Sequence, residues 1–426
     1  MRENVNRRDV VKAMGAAGIA GLAGCAGGDG TATGTGTGTM GEMTGTEMSS
    51  GARYGILMPE TGDLGSLGTT IRDGALLPAA QINDSDMDFS VSTQVADTQT
   101  NPQAGISGAE SLVNAGFPAV VGPASSNVNL QVTREVFIPN QVVGMSPSST
   151  SPAVTQLQDN DYIFRTAPSD ALQGPVMAQV AGDRVGASTT ATLFLNDAYG
   201  QALEESYVSA AKEAGITVQN RVSIEPQQAS YTSQLSDALA DDPDTLMIVA
   251  FPQSGIQLFS DYYNNFDSSN HTIIVPDGLI DDDLPDEVDN DFANVIGTSP
   301  ATAGPGADFF KSAYKEQFGS SPQVFNAQAY DAGAVLILAS AAADELTGTA
   351  IRDNIRRVAN PGGTEVTPSN LPQGVQSAMN GEDINFQGAS SPVNFDENGD
   401  MRTVTYGIFQ VENRDFTEVD QVQFSN

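Results

Sequence analysis

Tryptophan is absent from this sequence, cysteine and histidine occur once each, and only four of its 18 basic residues are lysines. A single cysteine, Cys25, excludes an internal disulfide, so the chain cannot be a small disulfide scaffold. With one histidine and no second thiol, a Cys/His metal site or a histidine-based catalytic triad has almost no material. His271 adjoins the polar run "SSNH" and reads as a solvated loop residue. Against those 18 bases stand 53 acids, a formal charge of -35. Phosphate binding needs a basic surface, so nucleic acid is excluded as a partner. Carboxylates abound, so composition leaves a two-acid glycosidase open, yet nothing singles out a pair. The run "DDDLPDEVDND" (281–291) offers seven acids and reads as a solvated acidic face rather than a cation site. An acidic, lysine-poor surface suits molar salt, where the Debye length of about 3 Å lets crowded carboxylates hold water while repelling little.

What is present begins at the amino terminus. Arg2, Arg7, Arg8 and Lys12 form a basic head, Ala13 to Gly24 is small and uncharged, and "LAGC" ends at Cys25. Twelve uncharged residues fall short of the roughly 20 that span a bilayer, and they suit the apolar part of an export signal. The adjacent arginines point to the twin-arginine route. The stretch resembles a lipoprotein signal, which implies a lipid on Cys25 as residue one of the mature chain and a membrane as partner. From Ala26 to residue 52 the chain is mostly Gly, Thr, Ser and Met, including "TATGTGTGT", without the periodicity of a core. This stretch reads as a tether.

From Arg53 onward, short apolar runs alternate with helical patterns. "YGILMPETG", "FSVSTQVADTQ", "FPAVVGP" and "QVVGMSP" read as strands, with helices predicted near 102–115 and 126–137. After a break at "FRTAPSDALQG" the rhythm restarts with "ATLFLND", "ITVQNRVSI", "TLMIVAF", "TIIVPDG" and "ANVIGTSP". Beyond Pro300 come mostly helices and then a β tail, "MRTVTYGIFQV". The expected fold class is α/β, with two Rossmann-like lobes built on parallel sheets.

Read in order, "GPASSNVNLQV", "SPSSTSPAVT", "YIFRTAPSDALQG", "NDAYGQAL", "PDGL", "NAQAYDA" and "FDENGD" resemble the branched-chain amino-acid-binding (Leu/Ile/Val) family of ABC-importer solute receptors. The resemblance implies a type I periplasmic binding protein fold, not an enzyme, that closes on a small amino acid and delivers it to an ABC permease, with no cofactor. It places crossovers near Pro168, Pro300 and Gly388. Residues 53–170 and 300–388 then form the first lobe, and 171–299 and 389–426 the second.

Candidate site residues follow from both lines of reasoning. Ser125 and Ser126 open a helix after one predicted strand, and Ser148, Ser149 and Thr150 follow the next. Carboxyl ends of parallel strands are where open α/β sheets bind ligands, and helix starts and hydroxyls donate to carboxylates. Each hydroxyl taken alone would equally serve as a helix cap. The family pattern assigns Ser126 and Thr150 to the ligand carboxylate and puts Ser148 where a backbone carbonyl meets the ammonium. Asp277 in "IIVPDGL" matches a family acid, often Glu, that would hold the ammonium; otherwise it is a Pro-Asp-Gly turn former. Tyr199, Phe251 and Tyr330 would wall the cleft, with Phe251 where the family often has tyrosine. A ligand-binding surface sensor, or a receptor for amides, urea or aromatic carboxylates, would use the same fold.

Overall fold

In a computed structural model, the structure describes residues 51–425. The export signal, Cys25 and the tether up to Ser50 lie outside the described residues. Strand β1 (Gly51–Met58) starts two residues earlier than the sequence pattern indicates, and Ala52, read as tether, is buried and pairs with Val91.

Two sheets organise the body. The first contains β1, β2 (Ser90–Asp97), β3 (Ala119–Val121), β4 (Val143–Ser146) and β5 (Ile163–Arg165), all parallel, in the order β2-β1-β3-β4-β5. The second contains β6 (Thr189–Leu195), β7 (Thr217–Ile224), β8 (Thr245–Val249), β9 (Thr272–Val275) and β10 (Val295–Pro300) in parallel. It is extended on one side by antiparallel β13 (Thr403–Glu412) and β14 (Asp415–Ser425), in the order β14-β13-β10-β9-β8-β6-β7. A short parallel pair, β11 (Thr364–Val366) and β12 (Ile384–Phe386), stands apart.

The central strands are apolar on both faces, as strands covered by helices on each side must be. Every residue of β3, β4 and β8 is buried. The Asn326–Ala342 helix is apolar around its whole circumference and buried from Asn326 to Ser340, so it is a core helix. It packs on β1 and on the Gly65–Asn83 helix. There Gly74 touches the Asn326 carbonyl so closely that a Cβ would stand 2.4 Å from its oxygen.

Three features differ from the sequence pattern. Phe164 and Arg165, at the start of the stretch read as a break, belong to β5, which is too short to show alternation. The tail makes a hairpin, because β14 returns along β13 after a turn at Asn413 and Arg414. The helix predicted over 126–137 is α-helical through Val132 and widens to a π turn over Thr133–Phe137.

The chain passes between the two sheets three times: between β5 and β6, after β10, and before β13. The last two passages are bonded to each other, with Ala303, Gly304 and Gly306 N–H groups donating to the carbonyls of Ser390, Ala389 and Gly388 at 2.9–3.1 Å. Asp331 clamps them from the core helix, accepting from Ala389 N (2.7 Å), Ser390 N (2.8 Å) and Ser390 Oγ (2.6 Å). Burial pushes its carboxyl up to about 7.

Candidate functional site

Both lobes present carboxyl-terminal strand ends to one place. Ser125 and Ser126 follow β3, and Ser148 follows β4. Tyr199 follows β6, Phe251 follows β8, and Asp277 follows β9. Ser125, Ser126, Ser148, Tyr199, Phe251, Asp277 and Gly278 line one cavity of about 20 Å³ together with Ala124, Leu64, Leu67, Ile71 and Phe325. That volume holds about one water, so the lobes stand closed on each other.

The serine loops are braced from behind. Ser146 Oγ donates to Pro123 O (2.6 Å) and accepts from Ser149 N (3.0 Å), while Ser126 Oγ accepts from Ser151 N (3.2 Å). Arg165, fully buried on β5, donates to Ser149 O (3.3 Å) and Ser151 O (2.9 Å) and is paired with Asp400. With the backbone held this way, the neighbouring side chains are left without a protein partner among the described residues. Ser125 is the N-cap residue of the Ser126–Val132 helix, yet its side chain makes no capping hydrogen bond. Ser148 Oγ, Ser149 Oγ and Thr150 Oγ1 are buried with no protein hydrogen-bond partner. Buried polar atoms in native proteins are nearly always paired, so this cluster points to a polar guest.

Across the cleft, Asp277 is 3% exposed, with Oδ2 accepting from the Tyr199 hydroxyl at 3.4 Å and Oδ1 unpartnered. It does form a turn, since its carbonyl accepts from Ile280 N (3.1 Å), but that uses the backbone and leaves the carboxylate available. Burial pushes the carboxyl up to about 6 against the opposing effect of Gln173 and the Tyr199 hydroxyl. Gly278 is obligatory beside it, because a Cβ would lie 2.8 Å from Ala250 O. The Tyr199 and Phe251 rings stack at 5.4 Å between centroids, with planes 5° apart, forming one wall.

Sequence reasoning missed Asp170. Its backbone N–H donates to Thr150 O at 2.9 Å, and both carboxylate oxygens are fully buried without a partner. Burial, with the Asp277 charge adding to it, holds its carboxyl well above the usual carboxylate range. Its position inside "PSDALQG" was part of the resemblance, but a first-turn Asp looks like a helix-dipole residue, and nothing local reveals burial. The apolar lining residues Leu64, Leu67, Ile71 and Phe325 were also missed. Phe325 holds a left-handed backbone (φ 64), unusual for a bulky side chain.

Other expectations need correcting. Tyr330 does not wall the cleft: its hydroxyl donates to Gln81 Oε1 (2.5 Å) and its ring packs on Phe310, because its position on the buried core helix turns it into the first-lobe core. Ser149 and Thr150 lie beside the cavity without lining it. His271 is not solvated; it is 9% exposed at the entry to β9, with Nε2 3.3 Å from Asp242. The acidic run is not a uniform solvated face, since Asp281 is 3% exposed and accepts from Ser66 Oγ at 2.6 Å. A larger hollow of about 610 Å³ surrounds His271, but it sits at the amino-terminal strand ends of the second sheet, away from every group described above. Among the described residues no group of His, Cys, Asp and Glu could hold a metal ion, and no helix is long and apolar enough to cross a membrane.

A family model described as "Periplasmic binding protein" matches residues 52–414. The chain belongs to that family. Among relatives of this periplasmic binding protein is the chemotactic signal transduction system substrate-binding protein BasB of Halobacterium salinarum, 25% identical over 70% of this chain and 71% of that one. A leucine-, isoleucine-, valine-, threonine- and alanine-binding protein of Pseudomonas aeruginosa is 29% identical over 38% of this chain and 43% of its own. The fold matches the leucine-binding protein LivK of Thermotoga maritima (TM-score 0.73, 23% identity, 87% of this chain and 98% of that one). It also matches a Rhodopseudomonas palustris solute-binding protein in complex with benzoate (TM-score 0.70, 13% identity, 88% and 98%). At those identities the structural likeness speaks for the fold, two α/β lobes of the periplasmic binding type.

Proposed function

We propose that this chain is the extracytoplasmic receptor of an ABC importer and captures an α-amino acid with an apolar side chain between its lobes. The observation that carries the reading is that one interlobe cavity is lined both by apolar side chains and by three serines and Asp277. Leu64, Leu67, Ile71 and Phe325 would receive the side chain. Serine hydroxyls of the first lobe would meet the carboxylate, and Asp277 of the second would meet the ammonium, backed by Asp170. Asp277 lines the cavity, and among the described residues no Lys, Arg or His lines it to pair that acid, so the site calls for a positive group on the guest. A thermal-shift screen of amino acids, amides and small carboxylates tests this; a binder present at about 100 times its Kd adds about 2.7 kcal/mol of stability. Stabilisation by amides or benzoates alone would replace the reading.

Because Asp277 titrates near 6 in the ligand-free protein, a pH dependence follows. An ammonium stabilises the ionised carboxylate, so the bound pKa lies lower and binding releases a proton below about pH 6. Affinity for an amino acid should be flat above that point and fall by up to about tenfold per pH unit below it. Titration calorimetry across this range checks it, and a pH-independent affinity would remove Asp277 from the contact.

The name of the Halobacterium relative supports a second reading, a receptor that feeds a sensor. Solute uptake lost on deletion, with motility responses intact, separates importer from sensor. Anchoring rests on "LAGC": Cys25→Ser should release the protein into the medium or leave it unprocessed, and Arg7→Lys with Arg8→Lys should block export. Unchanged membrane binding and processing of the Cys25→Ser protein on fractionation would defeat the lipoprotein reading.

A further inference from the structure

The loop between β1 and the Gly65–Asn83 helix reaches across to the second lobe. Asp63, 5% exposed, accepts there from Ser254 N (2.8 Å) and Ser254 Oγ (2.8 and 2.9 Å), and its carbonyl accepts from Gln253 N (3.3 Å). Those N–H groups belong to the first turn of the Pro252–Asn265 helix. That helix lacks a cap of its own: its N-cap residue is Phe251, which has no oxygen in its side chain. Helix amino termini leave such donors unpaired, and a carboxylate both accepts from them and faces the positive end of the dipole. A first-lobe residue therefore does for a second-lobe helix what a local Ser or Asp ordinarily does.

The loop is stiffened for this task. Asp97 accepts from Glu60 N (2.9 Å), Thr61 N (3.3 Å) and Thr61 Oγ1 (2.7 Å), and Thr100 Oγ1 accepts from Leu64 N (3.0 Å). Asp63 itself does not line the cavity, but its neighbour Leu64 does, as does Phe251 beside the capped turn. The cap thus stands beside the cavity, on residues adjoining two of its lining side chains.

We propose that Asp63 is a closure latch: it caps the Pro252–Asn265 helix only when the lobes are shut, and so sets the closed-to-open balance without touching the solute. Opening exchanges these bonds for water, whereas closing with no carboxylate at position 63 buries the Ser254 N–H unpaired. The Ser66–Asp281 bond lies on the same side and acts with it. The latch depends on the two-lobed fold and not on the identity of the guest.

The test uses the Cys25→Ser chain carrying Glu110→Cys in the first lobe and Asp237→Cys in the second, both native side chains being exposed, with spin labels on the two new thiols. Interlobe distance distributions are recorded without additive and with L-leucine. Asp63→Ala should reduce the closed-to-open ratio at least about tenfold, the loss of a hydrogen bond to a charged group. Ser254→Ala should act in the same direction, and the double variant should lose little more than either alone, as partners in one interaction do. The ligand-free melting temperature should stay nearly constant, which a merely structural residue would not permit. If L-leucine fails to bind, the ligand-free arm still decides the latch while the amino-acid reading falls separately. Distance distributions of Asp63→Ala indistinguishable from those of the parent in both arms would overturn the proposal.

Discussion

Asp277→Ala should lower affinity for the bound amino acid at least about 30-fold, corresponding to a loss of about 2 to 5 kcal/mol when a buried charge pair loses one member. The size follows from burial: with Asp277 removed, the ammonium would enter a closed cleft in which, among the described residues, no other acid lines the cavity. Thr150→Ala should cost less, about 1.5 to 3 kcal/mol, if its unpartnered hydroxyl, beside the cavity in the ligand-free protein, turns to the carboxylate as the family pattern assigns. The two variants should differ in kind as well. A ligand without an amino group should ignore Asp277→Ala and still bind more weakly to Thr150→Ala. Folding of the ligand-free protein should hardly change, because the Asp277 carboxylate carries little of the fold: its bond from the Tyr199 hydroxyl is long, at 3.4 Å, and its Oδ1 has no partner among the described residues. Titration calorimetry of both variants measures these losses. Wild-type affinity in Asp277→Ala would return that residue to the role of turn former.

The second large effect concerns stability. Asp400→Ala should destabilise the protein by about 3 to 5 kcal/mol, because it strands a buried arginine. The Arg165 side chain is 1% exposed against 17% for Asp400, so the aspartate reaches water far more easily than its partner. Asp400 also receives the Thr155 hydroxyl at 2.7 Å, and Arg165 reaches Ser149 and Ser151 from the same centre. The variant should therefore loosen the serine loop and weaken ligand binding together. With total stabilities near 5 to 15 kcal/mol, such a loss is a large share. Denaturant unfolding in high salt measures it; a change below about 1 kcal/mol would mean that water or another acid reaches the arginine.

The central strands and their ends were legible because the pattern of short apolar runs closed by Pro, Gly and Ser is local, whereas the strand order in each sheet was not read from it. β8 and β9 show it directly in "TLMIVAF" and "TIIVPDG". The hydroxyl clusters and Asp277 were legible for the same reason, since each follows a strand by a few residues. What was not legible depends on contacts between distant segments. β5 has three residues and gains its identity from pairing with β4. Tyr330 and Tyr199 look alike as isolated aromatics, and only the burial of the Asn326–Ala342 helix sends one to the core. "FDENGD" stood out as a motif, but its function as a counter-ion for Arg165 spans 235 residues. Asp63, Asp170 and Asp281 sat among dozens of acids, and no composition tells which few of them are buried.

On the proposed reading the closed cleft recognises a zwitterion, with hydroxyls of the first lobe at its carboxylate and Asp277 of the second at its ammonium. Titration calorimetry of the wild-type protein in high salt with L-leucine and with 4-methylpentanoate, the same molecule without its amino group, tests it most directly. L-leucine should bind 1:1, and the carboxylate at least about 30-fold more weakly. Equal or tighter binding of 4-methylpentanoate would contradict it.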